Sequence, residues 1–83
     1  MKVYIFPAVF KEDETGVGVV FPDLLGCVTQ NDDYERAFKD AREALNLHLS
    51  CMIEDGEPVP KPSRLRTIKL GEGEALALIE TSI

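Results

Sequence analysis

The side chains that could do chemistry are few and scattered along the chain. The one histidine, His48, falls in a helical stripe of apolar residues. A histidine there is usually packed, and a proton-transfer role would also need an orienting carboxylate. None of the serines Ser50, Ser63 and Ser82 lies in a G-x-S-x-G nucleophile motif. Gly16-Val17-Gly18 lacks the third glycine of a phosphate-binding loop. We therefore predict no catalytic residue and no cofactor.

The two cysteines, Cys27 and Cys51, lie far apart. Without a CxxC pair or a Cys/His cluster, a zinc site has no support. The N-terminal apolar run is interrupted by Pro7 and followed by Lys11, unlike a signal peptide. No stretch approaches the roughly 20 apolar residues of a membrane helix. We expect both cysteines to be reduced structural thiols in a cytoplasmic protein, with a disulfide as the less favoured alternative.

Acidic residues cluster at 12–14, 32–33 and 54–57. Asp32 and Asp33 suit the positive end of a helix, so capping explains them. Glu54 and Asp55 fall at the negative end, where carboxylates are mildly unfavourable, which hints at a surface role; a solvated loop is the plainer alternative. The DxDxDG-like pattern of a calcium loop is absent, and we predict no metal site.

Size and net charge restrict the class of protein further. With 83 residues and 45% apolar residues, the chain forms one domain, 1–83, with a thin core. We therefore expect a homodimer or homotetramer, and the apolar residues Leu76, Leu78, Ile79 and Ile83 favour self-association. The net charge of −6 disfavours direct nucleic-acid binding and favours a basic protein partner. Solubility alone is the other explanation of this charge.

Apolar periodicity predicts an α+β chain of three strands in an antiparallel meander, one long helix packed on one face, and a final strand. The predicted strands are Lys2–Phe10, Val17–Phe21, Cys27–Gln30 and Glu74–Thr81, with a hairpin connection over Lys11–Gly16 and a short extended piece around Thr67–Leu70. Pro7 places strand 1 at an edge or a bulge. Strand 4 lies either parallel to strand 1 or on the outside of the sheet.

The helix is the strongest local signal, running from about Asp33 to Glu54. Its apolar or amphipathic residues recur at helical spacing: Tyr34, Ala37, Phe38, Ala41, Leu45, His48, Leu49 and Met52. Asp32 is the predicted N-cap, with Glu35 three positions on. Gly56 ends the helix, and Pro58, Pro60 and Pro62 prevent its resumption.

Four segments together resemble the HicB antitoxin family. Phe21–Gln30 (FPDLLGCVTQ) is similar to that family's FPDLPG-x-x-T-x-G turn, and Ala37…Ala41–Leu45 is similar to its EEAL-x-x-A-x-EAL helix. Glu54–Ser63 resembles its EDGEPIPEPS exit, and Phe6–Phe10 its opening phrase. Leu25, in place of a proline, and Asn31, in place of a common glycine, depart from the pattern.

The resemblance implies a partial RNase H-like fold of order β-β-β-α-β. It also implies a role as an antitoxin, which neutralises a small basic HicA-type toxin, an mRNA-cleaving enzyme, by covering its active surface. Nuclease activity is not expected, because metal-dependent cleavage needs a carboxylate on strand 1 and Val3–Phe10 has none. Many members continue into a C-terminal DNA-binding domain; this chain stops after its last strand, so we expect no DNA binding.

We predict that the toxin contacts the turn and the acidic exit, through Asp23, Leu24, Leu25, Glu54, Asp55 and Glu57. A tight turn that sets strand register is the favoured role of Pro22 and Gly26. Two alternatives stay open beside the antitoxin: an orphan HicB-like oligomeric binding or scaffold module without a toxin, and, less favoured, a nuclease remnant with residual metal-dependent activity.

Overall fold

Four strands and one long helix follow one another in the predicted order β-β-β-α-β. The structure is a computed structural model that describes all residues from 1 to 83. Its elements are β1 (Val3–Asp13), β2 (Gly16–Val20), β3 (Val28–Asn31), α1 (Tyr34–Glu54), a 3₁₀ turn (Leu65–Thr67) and β4 (Glu74–Ser82). The α+β prediction is confirmed. In the predicted extended piece around Thr67–Leu70, Thr67 instead ends the 3₁₀ turn, Ile68 is extended, and no residue pairs with the sheet.

The strands form one antiparallel sheet of order β3-β2-β1-β4. Strand β4 therefore lies on the outside, next to β1, and the parallel alternative is wrong. The register places Phe6 opposite Ile79 and Val19 opposite Thr29. Because directly opposed side chains share a face of the sheet, this register places Phe6, Ile79 and Val19 on the face toward α1. The opposite face keeps exposed apolar side chains, among them Val20, Val28 and Leu78.

Pro7 lies where β1 has a neighbour on one side only. Strand β1 pairs with β2 from Val9 onward, whereas its pairing with β4 starts at Val3. The missing N–H of proline therefore leaves no partner unsatisfied, which confirms the edge position predicted for Pro7.

The hairpin between β1 and β2 is tighter than the predicted Lys11–Gly16 connection, because both strands extend into it. The hydroxyl and the backbone N–H of Thr15 donate to the carboxylate of Asp13, at 2.6 and 2.7 Å. These bonds lower the pKa of Asp13 below its usual value. Turn formation thus accounts for one member of the 12–14 acidic cluster.

The core lies between the sheet and α1. Its buried residues are Phe6, Ala8, Phe10, Val17, Val19, Phe21, Leu24, Cys27, Ala37, Ala41, Leu45, Leu49 and Ile79. The small side chains Ala37 and Ala41 allow the helix to approach the sheet closely. Phe38 belongs to the predicted stripe but stays 43% exposed, with its ring stacked on Phe10 at a centroid distance of 4.4 Å.

The N-cap of the helix lies one residue later than predicted. Asp33 is the N-cap, since its carboxylate accepts a hydrogen bond from the N–H of Arg36 at 2.9 Å, so the assignment to Asp32 is wrong. The N–H of Asp32 donates instead to the side chain of Asn31 at 2.7 Å, and its carboxylate lies 4.0 Å from the Arg36 guanidinium.

Replacing the cap, Asp33→Ala, is expected to lower the free energy of unfolding by about 1 kcal/mol, because an orphan N–H at the helix start loses its acceptor. Asp32→Ala is the matched control. It removes only an exposed ion pair, which is worth about 0–1 kcal/mol. Urea unfolding followed by circular dichroism measures both variants, and an equal loss in the two would contradict the assignment of the cap.

Candidate functional site

The turn between β2 and β3 has one exposed apolar side chain at its tip. Two consecutive tight turns form it: the N–H of Leu24 donates to Phe21 at 3.1 Å and the N–H of Cys27 to Leu24 at 3.0 Å. Phe21, Leu24 and Cys27 are buried, and they anchor the turn on the core. Gly26, at φ +84°, supplies the left-handed conformation that closes it. Leu25 is left 98% exposed.

The acidic exit of α1 folds back toward this turn. Gly56 adopts φ +74°, and the N–H of Glu57 donates to the carbonyl of Met52 at 2.8 Å, so the helix ends as predicted. Further along, the N–H of Ser63 donates to the carboxylate of Asp23 at 2.9 Å, and the Ser63 hydroxyl donates to the same carboxylate. Asp23 thereby ties the exit segment to the turn.

A groove of about 470 Å³ lies between the turn and the end of α1, and we call it the acidic groove. It is lined by Asp23, Leu24, Leu25, His48, Cys51, Met52, Asp55, Glu57, Pro58 and Pro60. Its charged side chains are carboxylates, and neither lysine nor arginine lines it. The groove therefore favours a cationic side chain, with apolar contacts from the leucines, Met52 and the prolines.

The structure brings most of the predicted contact residues together. Leu25, Asp55 and Glu57 are exposed along the acidic groove. Leu24 is only 2% exposed, so it forms part of the floor and gives a partner almost no side-chain surface. Glu54 does not line the groove. Of the predicted contact residues, Leu25, Asp55 and Glu57 are therefore the ones that are exposed along the acidic groove.

Three helix residues of the groove, His48, Cys51 and Met52, were not among the predicted contacts. They precede Asp55 by seven, four and three residues, which places all of them on one face of α1. Because Asp55 was a predicted contact, this helical spacing is the signal in the sequence that could have identified them. The half-buried His48 lies at the end of the stripe that faces the turn, which is a packing position.

A second and larger groove, of about 610 Å³, lies on the sheet face opposite α1. The segment Ser63–Lys69 forms one wall, and Val9, Gly18 and Val20 of the sheet form part of the floor. Lys11 and Lys69 alternate here with Asp13, Asp23 and Glu74, so the lining has no single sign of charge. Nothing in this mixture favours a basic partner as the acidic groove does.

Groups that could hold a metal ion do not converge. Strand β1 extends past the predicted range and includes Glu12 and Asp13, both exposed next to the hairpin. No three His, Cys, Asp or Glu side chains come together in a geometry for a cation. None of the helices combines the length and the apolar character that crossing a membrane requires.

The two thiols differ in exposure, and no disulfide joins them. Burial raises the pKa of Cys27 to about 11, and its thiol donates to the carbonyl of Ala44 at 3.7 Å. Cys51 is exposed in the acidic groove, so it is not the structural thiol that the sequence predicted.

At pH 8 a thiol reagent is expected to label Cys51 and to leave Cys27 unlabelled, because a raised pKa keeps the buried thiol protonated. Labelling of Cys27 should appear only as the pH approaches its pKa or after unfolding in denaturant. Peptide mass spectrometry after brief exposure to the reagent measures the modified fraction of each cysteine, with Cys51→Ser as the control. Equal labelling of the two cysteines in the native chain would contradict the packing of the turn.

Comparison with known proteins gives one consistent family. The sequence profile described as HicB_like antitoxin of bacterial toxin-antitoxin system matches residues 6–77. The chain is 35% identical over 78 residues to Antitoxin HicB 2 of Photorhabdus laumondii, and the match covers 94% of this chain and 51% of that protein. The chain therefore spans about half the length of this curated relative.

Solved structures agree on the fold. The N-terminal domain of Burkholderia pseudomallei antitoxin HicB superposes with a TM-score of 0.77 at 26% identity, covering 96% of this chain and all of that domain. A toxin-antitoxin complex from Streptococcus pneumoniae contains a chain with a TM-score of 0.86 at 20% identity, covering 95% of this chain and 69% of that one. The order β-β-β-α-β predicted from the sequence is thus the order of a known domain.

Proposed function

Since this chain belongs to the HicB-like antitoxin family, we propose that it neutralises a small basic HicA-type mRNA interferase in the cytoplasm. In this proposal it acts as the antitoxin of a type II toxin–antitoxin system. It works by binding, as a partner protein and not as an enzyme. It needs neither metal nor cofactor.

The observation that carries the proposal is the acidic groove beside an exposed leucine. Asp55 and Glu57 lie on the same groove as Leu25, which is 98% exposed. An exposed apolar side chain beside charged ones suits a protein–protein interface, where a few central residues dominate the binding energy. The lysines and arginines of a basic toxin complement the carboxylates.

The net charge of the chain supports the same proposal at longer range. With 15 acidic and 9 basic residues, the chain carries a net charge of −6 and attracts a cationic protein before contact. Once bound, the antitoxin occupies surface that the toxin would otherwise present to the phosphates of RNA. The negative groove and RNA thus compete for the same cationic surface.

That the chain itself makes no contact with nucleic acid stays a prediction, based on its charge. An electrophoretic shift assay with the DNA upstream of its own gene tests it. Binding of that DNA at physiological salt would overturn the prediction.

Affinity capture of the chain from its native cells tests the proposed function, followed by reconstitution with the captured protein. The expected partner is small, basic, stoichiometric and encoded beside the gene of this chain. Recovery of the chain alone, or of its own oligomer, would favour the orphan HicB-like scaffold module. Mg²⁺-dependent cleavage of RNA by the purified chain would instead support a nuclease remnant.

A further inference from the structure

Strand β4 leaves one row of backbone groups without a partner. It lies at the end of the sheet order, so only β1 neighbours it. Lys2 and Ile83 exchange two backbone hydrogen bonds, of 2.8 and 2.9 Å. Because hydrogen-bonded pairs alternate along an antiparallel ladder, the N–H and C=O of Leu76, Leu78 and Glu80 point away from β1.

The unpaired stretch has a defined end. The side-chain amide of Asn46 donates to the carbonyl of Ser82 at 3.0 Å and to the hydroxyl of Thr81 at 2.8 Å. The helix thus occupies the edge at the end of β4. Outside the sheet, no hydrogen bond within the chain uses the backbone of Leu76, Leu78 or Glu80. The free edge is therefore Leu76–Glu80, centred on Leu78.

Between its two charged residues, Glu74 and Glu80, this edge lacks the features that usually prevent pairing with another chain. Short strands, prolines, lysines and bulges protect most sheet edges. The opposite edge, β3, has only 4 residues, whereas β4 has 9 and contains neither proline nor lysine. Its centre, Ala75–Ile79, is entirely apolar, and Leu78 is 55% exposed. On the same sheet face, Val3 and Ile5 of β1 are 54% and 43% exposed.

We propose that a second copy of this chain pairs with the β4 edge, strand to strand and antiparallel, with Leu78 opposite Leu78 of the second copy. The two sheets then continue as one. This register matches Leu76 with Glu80 and places the free hydrogen-bonding groups of both strands opposite each other. A register centred on Ala77 would instead oppose Glu74 and Glu80, two like charges on one face. The sequence of β4 is therefore self-complementary around Leu78.

The helix side of the same edge also presents apolar surface. Phe38, Arg42 and Asn46 follow one another at i,i+4 spacing, so they form one row on α1. Asn46 contacts the end of β4, which places this row on the β4 side of the helix. Phe38 is 43% exposed. In the paired dimer the equivalent rows of the two copies lie on the same face of the joined sheet, on either side of the two-fold axis.

Pairing at β4 leaves the acidic groove accessible. The groove adjoins the turn between β2 and β3, and β3 is the opposite edge of the sheet from β4. Self-association and toxin binding therefore use separate surfaces. A failure of the proposed function would leave this inference intact, and the reverse also holds.

Sedimentation equilibrium tests the proposal by measuring the average molecular mass of the purified chain as its concentration is varied. A reversible dimer is expected for the wild type. Leu78→Lys places two lysines opposite each other at the two-fold axis and should weaken dimerisation about tenfold or more. Val28→Lys is the matched control, since Val28 is 58% exposed on the other edge strand. It should leave dimerisation unchanged.

Amide hydrogen exchange on the wild type gives a second measurement that does not depend on a variant folding. The amides of Leu76, Leu78 and Glu80 should gain protection as concentration rises, whereas those of Ala77 and Ile79, which donate to β1, should be protected throughout. A monomer at all concentrations, a dimer insensitive to Leu78→Lys, or three outward amides that exchange fast in the dimer would each overturn the proposal.

Discussion

Reversing the two exposed carboxylates of the acidic groove, Asp55→Lys with Glu57→Lys, is expected to slow association with the proposed basic toxin by about 10- to 100-fold at low salt. Both carboxylates line the groove beside Leu25. Lysines there would repel a basic partner during the encounter and would meet its cations after docking. The effect should shrink as salt is added, because screening weakens steering. Stopped-flow or surface-based kinetics measure the association rate.

A matched control separates the groove from net charge. Glu12→Lys with Glu14→Lys alters two exposed carboxylates of the β1–β2 hairpin. Each replacement adds two charges, so both double variants change the net charge from −6 to −2. The control should lose only the small part of the association rate that depends on total charge. Equal slowing by both double variants would remove the groove from the account and leave overall charge as the cause.

The largest effect on stability is expected for Leu45→Ala, at about 3 kcal/mol lost from the free energy of unfolding. Leu45 is fully buried at the centre of α1, and its truncation leaves a cavity between helix and sheet. A chain of this size has roughly 4–12 kcal/mol of stability in total. Because the core is thin, few neighbouring side chains can move to fill the cavity. Urea denaturation at one fixed protein concentration measures the loss.

Leu47→Ala is the control for that variant. Leu47 lies two residues further along the same helix and is 67% exposed. The same change in helix propensity is therefore made without a cavity, and the free energy of unfolding should move by less than about 0.5 kcal/mol. Similar losses for Leu45→Ala and Leu47→Ala would mean that α1 packs on the sheet through a different face.

Much of the fold was predictable because two periodicities are unambiguous in the sequence. The helical spacing from Ala37 to Leu49 fixed which face of α1 is buried, and Gly56 fixed where the helix ends. In β1 the buried residues Phe6, Ala8 and Phe10 alternate along the strand and form its core face. These patterns repeat over several turns or pleats, so one ambiguous residue does not alter the outcome.

Other features depended on choices that local sequence leaves nearly equal in energy. Asp32 and Asp33 are chemically identical candidates for the cap. In the structure the N–H of Asp32 donates a hydrogen bond to the side chain of Asn31. The direction of β4 depends on the path of the long connection after the helix. In that connection, the N–H and the hydroxyl of Ser63 donate hydrogen bonds to the carboxylate of Asp23 and hold the chain. That contact joins positions 40 residues apart, which local periodicity does not reveal.

The candidate site was predictable in part. The turn Pro22–Gly26 and the acidic exit at 54–57 were both recognised in the sequence, and the fold places them side by side. The sequence did not distinguish Leu24 from Leu25, although one is buried and the other exposed. In an irregular turn no period assigns side chains to faces, so their orientation follows only from the two consecutive tight turns.

The central claim, that the chain neutralises a toxin by occupying its active surface, is tested most directly by an RNA-cleavage titration. A constant amount of the small basic protein captured with the chain would be incubated with RNA and increasing chain. Cleavage is expected to fall in proportion to added chain and to reach background near equal stoichiometry, while the double variant at Asp55 and Glu57 requires a large excess. Undiminished cleavage with the wild-type chain in excess would contradict the claim.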